Sequence, residues 1–287
     1  MERDIFTNIR ANYNMLTKVE RKIADIVLAK PKEVLNLSIT DLAELCDVSV
    51  ATVFRFCKDL KLKGYQDFKL TLVQSISTLE NEGSSFLEFA DDDQVDDDFQ
   101  HIVHQILNVN VHSLKETCSL IQKDDIIRTV QWMVEARKVV FAGCGNSLLA
   151  AMEGKNKFMR ITDKIEVNID THLQSMAAAL LTEQDLIILI SHSGSTKDTV
   201  DIAKLAKKQG AKVVCITRYA RSPLTECCDI RLMYGANEGP LQGGSMSAKL
   251  AQLMVLEVLY QQYFLSTFDE SKKNRTLTAG SVVDKLY

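Results

Sequence analysis

Asp185-Leu-Ile-Ile-Leu-Ile-Ser-His-Ser-Gly-Ser-Thr196 decides the fold. Leu186 to Ile190 is an unbroken aliphatic run without polar alternation, the pattern of a short strand buried on both faces of a sheet. It breaks into hydroxyl-bearing residues around Gly194, and helical spacing resumes at Lys197. Val139-Val-Phe-Ala-Gly-Cys-Gly-Asn-Ser147 repeats the plan: strand, glycine turn, helix start. Working outward, strands are expected over 138–142, 164–169, 185–190, 212–217 and 229–234. Helices are expected between them over 147–160, 173–181 and 197–209, with a long last one over 245–266 and two more ahead at 99–121 and 125–136. Buried strands alternating with helices predict an α/β unit with a parallel sheet covered by helices.

The turns after the first and third strands carry the chemistry. Ser191, Ser193, Ser195 and Thr196 offer four hydroxyls around Gly194, where the chain turns tightly. The following helix supplies unpaired backbone N–H groups and the positive end of its dipole. Together these suit an anion, and a phosphate monoester is the natural ligand. In the other turn, Gly143 and Gly145 let the backbone approach a ligand, and Ser147 opens the helix. A dinucleotide fingerprint would need a third glycine where Leu148 stands, so no such cofactor is implied. Both turns fall at carboxyl ends of strands, the rim where open parallel sheets bind ligands.

Upstream the texture differs. Leu16, Val19, Ile23, Ile26 and Val27 recur at helical steps until Pro31, and Phe68, Leu72 and Ile76 predict another helix. Ser38-Ile-Thr-Asp41 is a capping-box-like start, and Ser49 a second N-cap. Residues 39–58 fit a helix-turn-helix: Leu42, Cys46, Val48, Val53 and Phe56 are the apolar places, and small Ala43 sits where the helices pack closest. The turn begins with Asp47 at a place that usually needs positive φ, which Asp tolerates better than most residues. The second helix is expected to expose Val50, Ala51, Thr52, Arg55 and Lys58 after Ser49. Such a helix start can enter the major groove, with Arg55 reaching a base edge or phosphate and lysines neutralising phosphates. Residues 51–69 hold five bases against two acids.

Charge divides the 287 residues. Residues 1–78 carry 12 bases and 10 acids; 79–98 carry nine acids and no base; 99–287 carry 22 bases and 19 acids. The net charge of −4 thus comes from one short acidic stretch, read as a linker between a DNA-binding domain (1–78) and a ligand-binding domain (99–287). Seven scattered cysteines without a C-x-x-C pair argue against a disulfide framework or zinc ribbon. His101, His104 and His112 lack further ligands at matching spacing, so no metal site is expected. The start, MERDIFTNIR, has no apolar core of a secretory signal, and the longest apolar run, Met176 to Leu181, has six residues. A cytoplasmic protein without membrane contact is expected.

Two successions carry a resemblance. Leu16-Thr-Lys-Val-Glu-Arg-Lys-Ile-Ala24, Ser38-Ile-Thr-Asp-Leu-Ala-Glu-Leu-Cys-Asp-Val-Ser49, Val53-Phe-Arg-Phe-Cys57 and Lys63-Gly-Tyr-Gln-Asp-Phe-Lys69 resemble the N-terminal domain of the RpiR family of bacterial transcription regulators. Gly143-x-Gly-x-Ser147, Ile190-Ser-x-Ser-Gly-x-Thr196, 206–213 and Ser222-Pro-Leu-Thr-Glu-Cys-Cys-Asp229 resemble the SIS (sugar isomerase) domain, over about residues 125–266. The resemblance implies a flavodoxin-like sheet of five parallel strands and phosphosugar contacts from Ser147, Ser191, Ser193 and Thr196, with Gly145 and Gly194 shaping the loops. Ser195 takes a variable place in the motif. It further implies a regulator, a repressor of a sugar or amino-sugar catabolic operon, that binds operator DNA and a phosphosugar effector. No cofactor and no catalytic residue are implied.

Half-sites one helical turn apart call for a homodimer or higher homo-oligomer. The last helix is apolar nearly all round (Leu250, Leu253, Met254, Leu256, Val258, Leu259, Tyr260), which predicts that part of it lies in a subunit interface. The alternative is a phosphosugar isomerase, which needs a general base. Glu153, His172 and Glu238 are the candidates, none at an identifying spacing, and an isomerase has no use for a helix-turn-helix.

Overall fold

A computed structural model describes residues 5–80, 99–236 and 245–285. They fall into two compact units, and the division lies inside one helix, after Asn108.

The first unit is helical: α1 (Ile5–Asn12), α2 (Lys18–Ala29), α3 (Pro31–Leu35), α4 (Ile39–Leu45), α5 (Val50–Asp59) and α6 (Tyr65–Glu80). Its helix starts are chemically marked. Thr17 with Glu20 caps α2 and Ser38 with Asp41 caps α4, each pair satisfying two backbone N–H groups reciprocally. Ser49 caps α5 by accepting from the Thr52 N–H. Pro31 ends the α2 pattern as expected, yet also opens α3, because its fixed φ suits the first helical position. Ile23, Leu42, Val53, Phe56, Leu60, Phe68 and Leu72 are fully buried together. Asp47 takes φ 51°, the left-handed conformation expected at the turn, and lets the Val48 N–H reach the Ala43 carbonyl at 2.8 Å.

α7 (Phe99–Leu120) and α8 (Lys123–Glu135) lead to the sheet. There follow β1 (Val139–Gly143), α9 (Asn146–Phe158), β2 (Ile165–Val167), α10 (Thr171–Ala179), β3 (Leu186–Ile190), α11 (Lys197–Lys208), β4 (Lys212–Thr217), β5 (Ile230–Met233), α12 (Met246–Ser266) and α13 (Phe268–Gly280). The strand order is β2-β1-β3-β4-β5 and every pairing is parallel. This is the expected five-stranded, flavodoxin-like sheet, whose direction of winding reverses between β1 and β3. Alternate residues feed two cores: Val139, Phe141 and Ile188 pack under α8, α9 and α12, while Val140, Leu189 and Val213 pack under α11.

The surplus apolar surface foreseen on α12 is mostly covered. Val255, Leu256, Leu259 and Tyr260 are buried, and Leu250, Leu253, Met254 and Val258 are half-buried, because α12 packs against both α8 and α9 as well as the sheet. Exposed apolar side chains lie on α7, at Phe99, Ile102, Ile106 and Leu107, on α9 and α10, at Leu149, Met152, Leu173 and Met176, and at the two ends of α12, at Met246 and Leu265. Cys46, Cys57 and Cys215 are buried, and burial pushes Cys46 to about 11 and Cys57 to about 12, so both stay neutral thiols. Among the described residues no helix is long and apolar enough to cross a membrane.

Candidate functional site

The register of the sheet builds the first site. Gly143, the last residue of β1, pairs with Ile190, the last of β3. The turns at 144–147 and 191–196 therefore leave the sheet side by side, at the point where its winding reverses. The close fit needs Gly143: a Cβ there would stand 3.0 Å from the Ile190 carbonyl oxygen. Buried Gln174 braces the same place, accepting from the Gly143 N–H at 3.3 Å and donating to its carbonyl at 3.0 Å.

The β3 turn is held by its own hydroxyls. Ser191 is buried, and its Oγ accepts from the Gly194 N–H at 3.2 Å. The Ser193 Oγ accepts from the Ser195 N–H at 3.2 Å, and the Ser195 hydroxyl donates to the Ser193 carbonyl at 3.2 Å. Gly194 has φ 60°. Thr196 is exposed at the start of α11 and makes no side-chain cap bond, so its hydroxyl stands beside the uncapped helix end. In the β1 turn, Gly145 (φ 57°) precedes α9 and Ser147 lies buried in its first turn. Ser147, Ser191, Ser193, Ser195 and Thr196 thus belong to adjacent turns shaped by Gly145 and Gly194, and both turns end in helix N-termini whose dipoles favour an anion.

His192 lies within the 191–196 turn, and its partners were not foreseen. His192 Nδ1 lies 2.9 Å from the Tyr234 hydroxyl, which accepts from Gln252 Nε2 at 2.8 Å. Tyr234 is fully buried, and the Tyr219 ring meets His192 edge-on at 6.0 Å. These groups are far apart in sequence, so no local pattern brings them together.

In the helical unit, Ser49, Ala51, Arg55 and Lys58 are exposed along α5, and Val50 is half-buried. One expectation needs correction. Thr52 is buried, because its hydroxyl turns back to the Ser49 Oγ at 2.9 Å within the cap. Lys69, the last base of the 51–69 stretch, is also buried, with its Nζ donating to the Leu37 carbonyl at 2.9 Å. An unforeseen residue, Phe54, is exposed beside Arg55, and Lys58 Nζ sits 5.2 Å over its ring.

A parallel α/β sheet with two helix-capped turns at its switch point and a helix-turn-helix on one chain define a class, and comparison with known proteins agrees with it. Residues 3–79 match the family model described as helix-turn-helix domain, rpiR family, and residues 133–261 match that of the SIS domain. The chain belongs to this family of helix-turn-helix transcriptional regulators. An uncharacterized HTH-type transcriptional regulator of Haemophilus influenzae is 33% identical over 98% of this chain and 97% of its own length. The HTH-type transcriptional regulator HexR of Pseudomonas aeruginosa is 31% identical over 90% of this chain and 88% of its own. The solved structure of the Vibrio vulnificus NanR protein complexed with ManNAc-6P is similar, with a TM-score of 0.84 and 30% identity, covering 98% of this chain and 99% of that one. The sugar isomerase domain of an RpiR transcription factor from Sphaerobacter thermophilus shares the sheet fold, with a TM-score of 0.56 at 22% identity over 65% of this chain and all of that one.

Proposed function

We propose that this chain binds operator DNA through α4 and α5, and that a phosphosugar held by the turns at 143–147 and 191–196 alters its grip on that DNA. Residues 1–78 serve DNA, 79–98 link, and 99–287 sense. The observation that carries this is the pairing of Gly143 with Ile190, which sets two hydroxyl-bearing helix starts side by side at the switch point of the sheet. The ManNAc-6P complex of NanR supports a phosphosugar as the ligand class. Ser49, Val50, Ala51, Thr52, Arg55 and Lys58 form the DNA-facing segment, with Thr52 acting through the cap. The regulator represses a sugar or amino-sugar catabolic operon in the cytoplasm, as a homodimer or higher homo-oligomer.

An isomerase is the weaker reading. Glu153 and His172 are exposed, on α9 and α10, and Glu238 lies outside the described residues. The test pairs two measurements. DNA selected from a random pool is expected to yield a repeated half-site. Calorimetry is expected to show binding of one or more of N-acetylmannosamine 6-phosphate, glucose 6-phosphate and ribose 5-phosphate, and none of the free sugars. NMR detection of aldose–ketose turnover would overturn this reading in favour of the isomerase.

A further inference from the structure

The ligand turn is tied by two routes to a single stretch of α7. In the first, the His192 carbonyl accepts from the Arg218 N–H and from the Thr217 hydroxyl, both at 3.3 Å. The Arg218 guanidinium then donates to the Ala236 carbonyl at 3.0 Å and pairs with Glu116 on α7 at 3.2 Å. In the second, His192 Nδ1 meets Tyr234, whose neighbour Gly235 is gripped by α7. The Gly235 N–H donates to Thr117 Oγ1 at 3.0 Å, and the Gly235 carbonyl accepts from the Ser113 and Thr117 hydroxyls. Glu116 lies so close that a Cβ on Gly235 would stand 2.4 Å from its own Cβ.

Ser113 and Thr117 are 2% and 0% exposed. Helix packing alone is satisfied by apolar side chains, which slide. The Thr117 hydroxyl also donates within its helix, to the Ser113 carbonyl at 2.7 Å, and its oxygen receives the Gly235 N–H. Buried hydroxyls that pair with one strand exit fix a helix in position and register, because a displaced partner is left unpaired away from water. α7 is unbroken from Phe99 to Leu120, and the division between the compact units falls within it, after Asn108.

We propose that Arg218, Tyr234 and Gly235 pass the occupancy of the 191–196 turn to α7, with Ser113, Glu116 and Thr117 as the receiving side chains, and that α7 carries it toward the DNA-binding unit. They are positioning residues, distinct from the groups that hold the phosphosugar. The proposal rests on reading that turn as the phosphosugar site.

The test uses the full chain, pool-selected DNA and N-acetylmannosamine 6-phosphate, with glucose 6-phosphate and ribose 5-phosphate as further probes. In the unaltered chain a bound probe is expected to change DNA affinity about 5- to 150-fold and to slow amide exchange over 110–120. Arg218→Ala and Glu116→Gln should each keep probe affinity and DNA affinity within about 3-fold, while the effect of the probe on DNA falls at least about 3-fold below that of the unaltered chain in each and is lost in the pair. A bound probe that leaves exchange over 110–120 unchanged overturns the proposal, and so does undiminished coupling in the pair. Loss of probe affinity in step with coupling would place these residues in the binding site and overturn it too. If no probe binds the unaltered chain, the phosphosugar reading fails, and the proposal with it.

Discussion

Gly194 and Ser222 occupy the same space but for one missing carbon: a Cβ on Gly194 would stand 2.1 Å from the Ser222 Oγ. With φ 60°, the position excludes a side chain on both conformational and steric grounds. The Gly194 carbonyl also accepts from the Leu224 N–H at 2.9 Å, so the 222–225 segment backs the ligand turn. Gly194→Ala should therefore destabilise the sheet unit by about 1–3 kcal/mol and displace the Ser193 and Ser195 hydroxyls. Urea unfolding and phosphosugar calorimetry on the variant measure the two effects; unchanged values in both would refute this account of the turn.

Ser193→Ala removes one hydroxyl from a charged ligand and should weaken phosphosugar binding by about 1.5–3 kcal/mol, or roughly 10- to 150-fold. Ser191→Ala removes the acceptor of the Gly194 N–H as well. The double variant should still bind DNA but no longer respond to the effector. A free sugar that bound as tightly as its phosphate would reduce these serines to turn formers.

On α5, Arg55→Ala should weaken binding to selected DNA by about 1–3 kcal/mol and relax preference at one base position. Lys58→Ala should weaken all sequences alike and shallow the salt slope by about one unit. Gel shifts over a range of salt concentrations separate the two, and unchanged affinity in both variants would remove α5 from the interface.

Lys69 gives the helical unit a pH signature. Burial pushes its amine down to about 8, partly opposed by the charge of Asp41. The unfolded chain keeps a lysine near its ordinary value of about 10.4. Between these values the unfolded state holds more protons, so this group makes stability rise with pH from about 8 to 10.4. The full gain is on the order of 3 kcal/mol. Lys69→Met should flatten that rise in urea unfolding series at pH 7, 9 and 10. A slope unchanged by the substitution would mean that the amine titrates as if exposed.

The sheet was legible because its strands are buried on both faces and carry no competing pattern; 212–217 is β4 to the residue. α13 was missed because its sequence is mostly polar, without apolar spacing, and its Phe268 and Leu277 stay exposed: only Ser271 is buried there, and polar bonds hold it, from Asn274 to the Ile161 carbonyl and from Thr278 to the Arg160 carbonyl. α1 was missed because Ile5, Phe6 and Ile9 make too short a pattern to stand out, although all three are buried. The hydroxyls of the 191–196 turn could be read because they are contiguous around one glycine. The burial of Thr52 could not, since helical spacing alone does not reveal that a cap will draw its hydroxyl inward. His192 after β3, Tyr234 after β5 and Gln252 on α12 meet only through the tertiary fold.

The pairing of Gly143 with Ile190 also acts as a ruler. The gap between the two ligand turns is one interstrand spacing, about 4.8 Å, set by main-chain hydrogen bonds and not by side-chain identity. A backbone-defined anchor of this kind is interchangeable among ligands. On the proposed reading, residues that meet the sugar beyond its phosphate can be exchanged without rebuilding the anchor, so retargeting the site to a new metabolite is a matter of redecorating the rim while the 143–147 and 191–196 turns stay as they are.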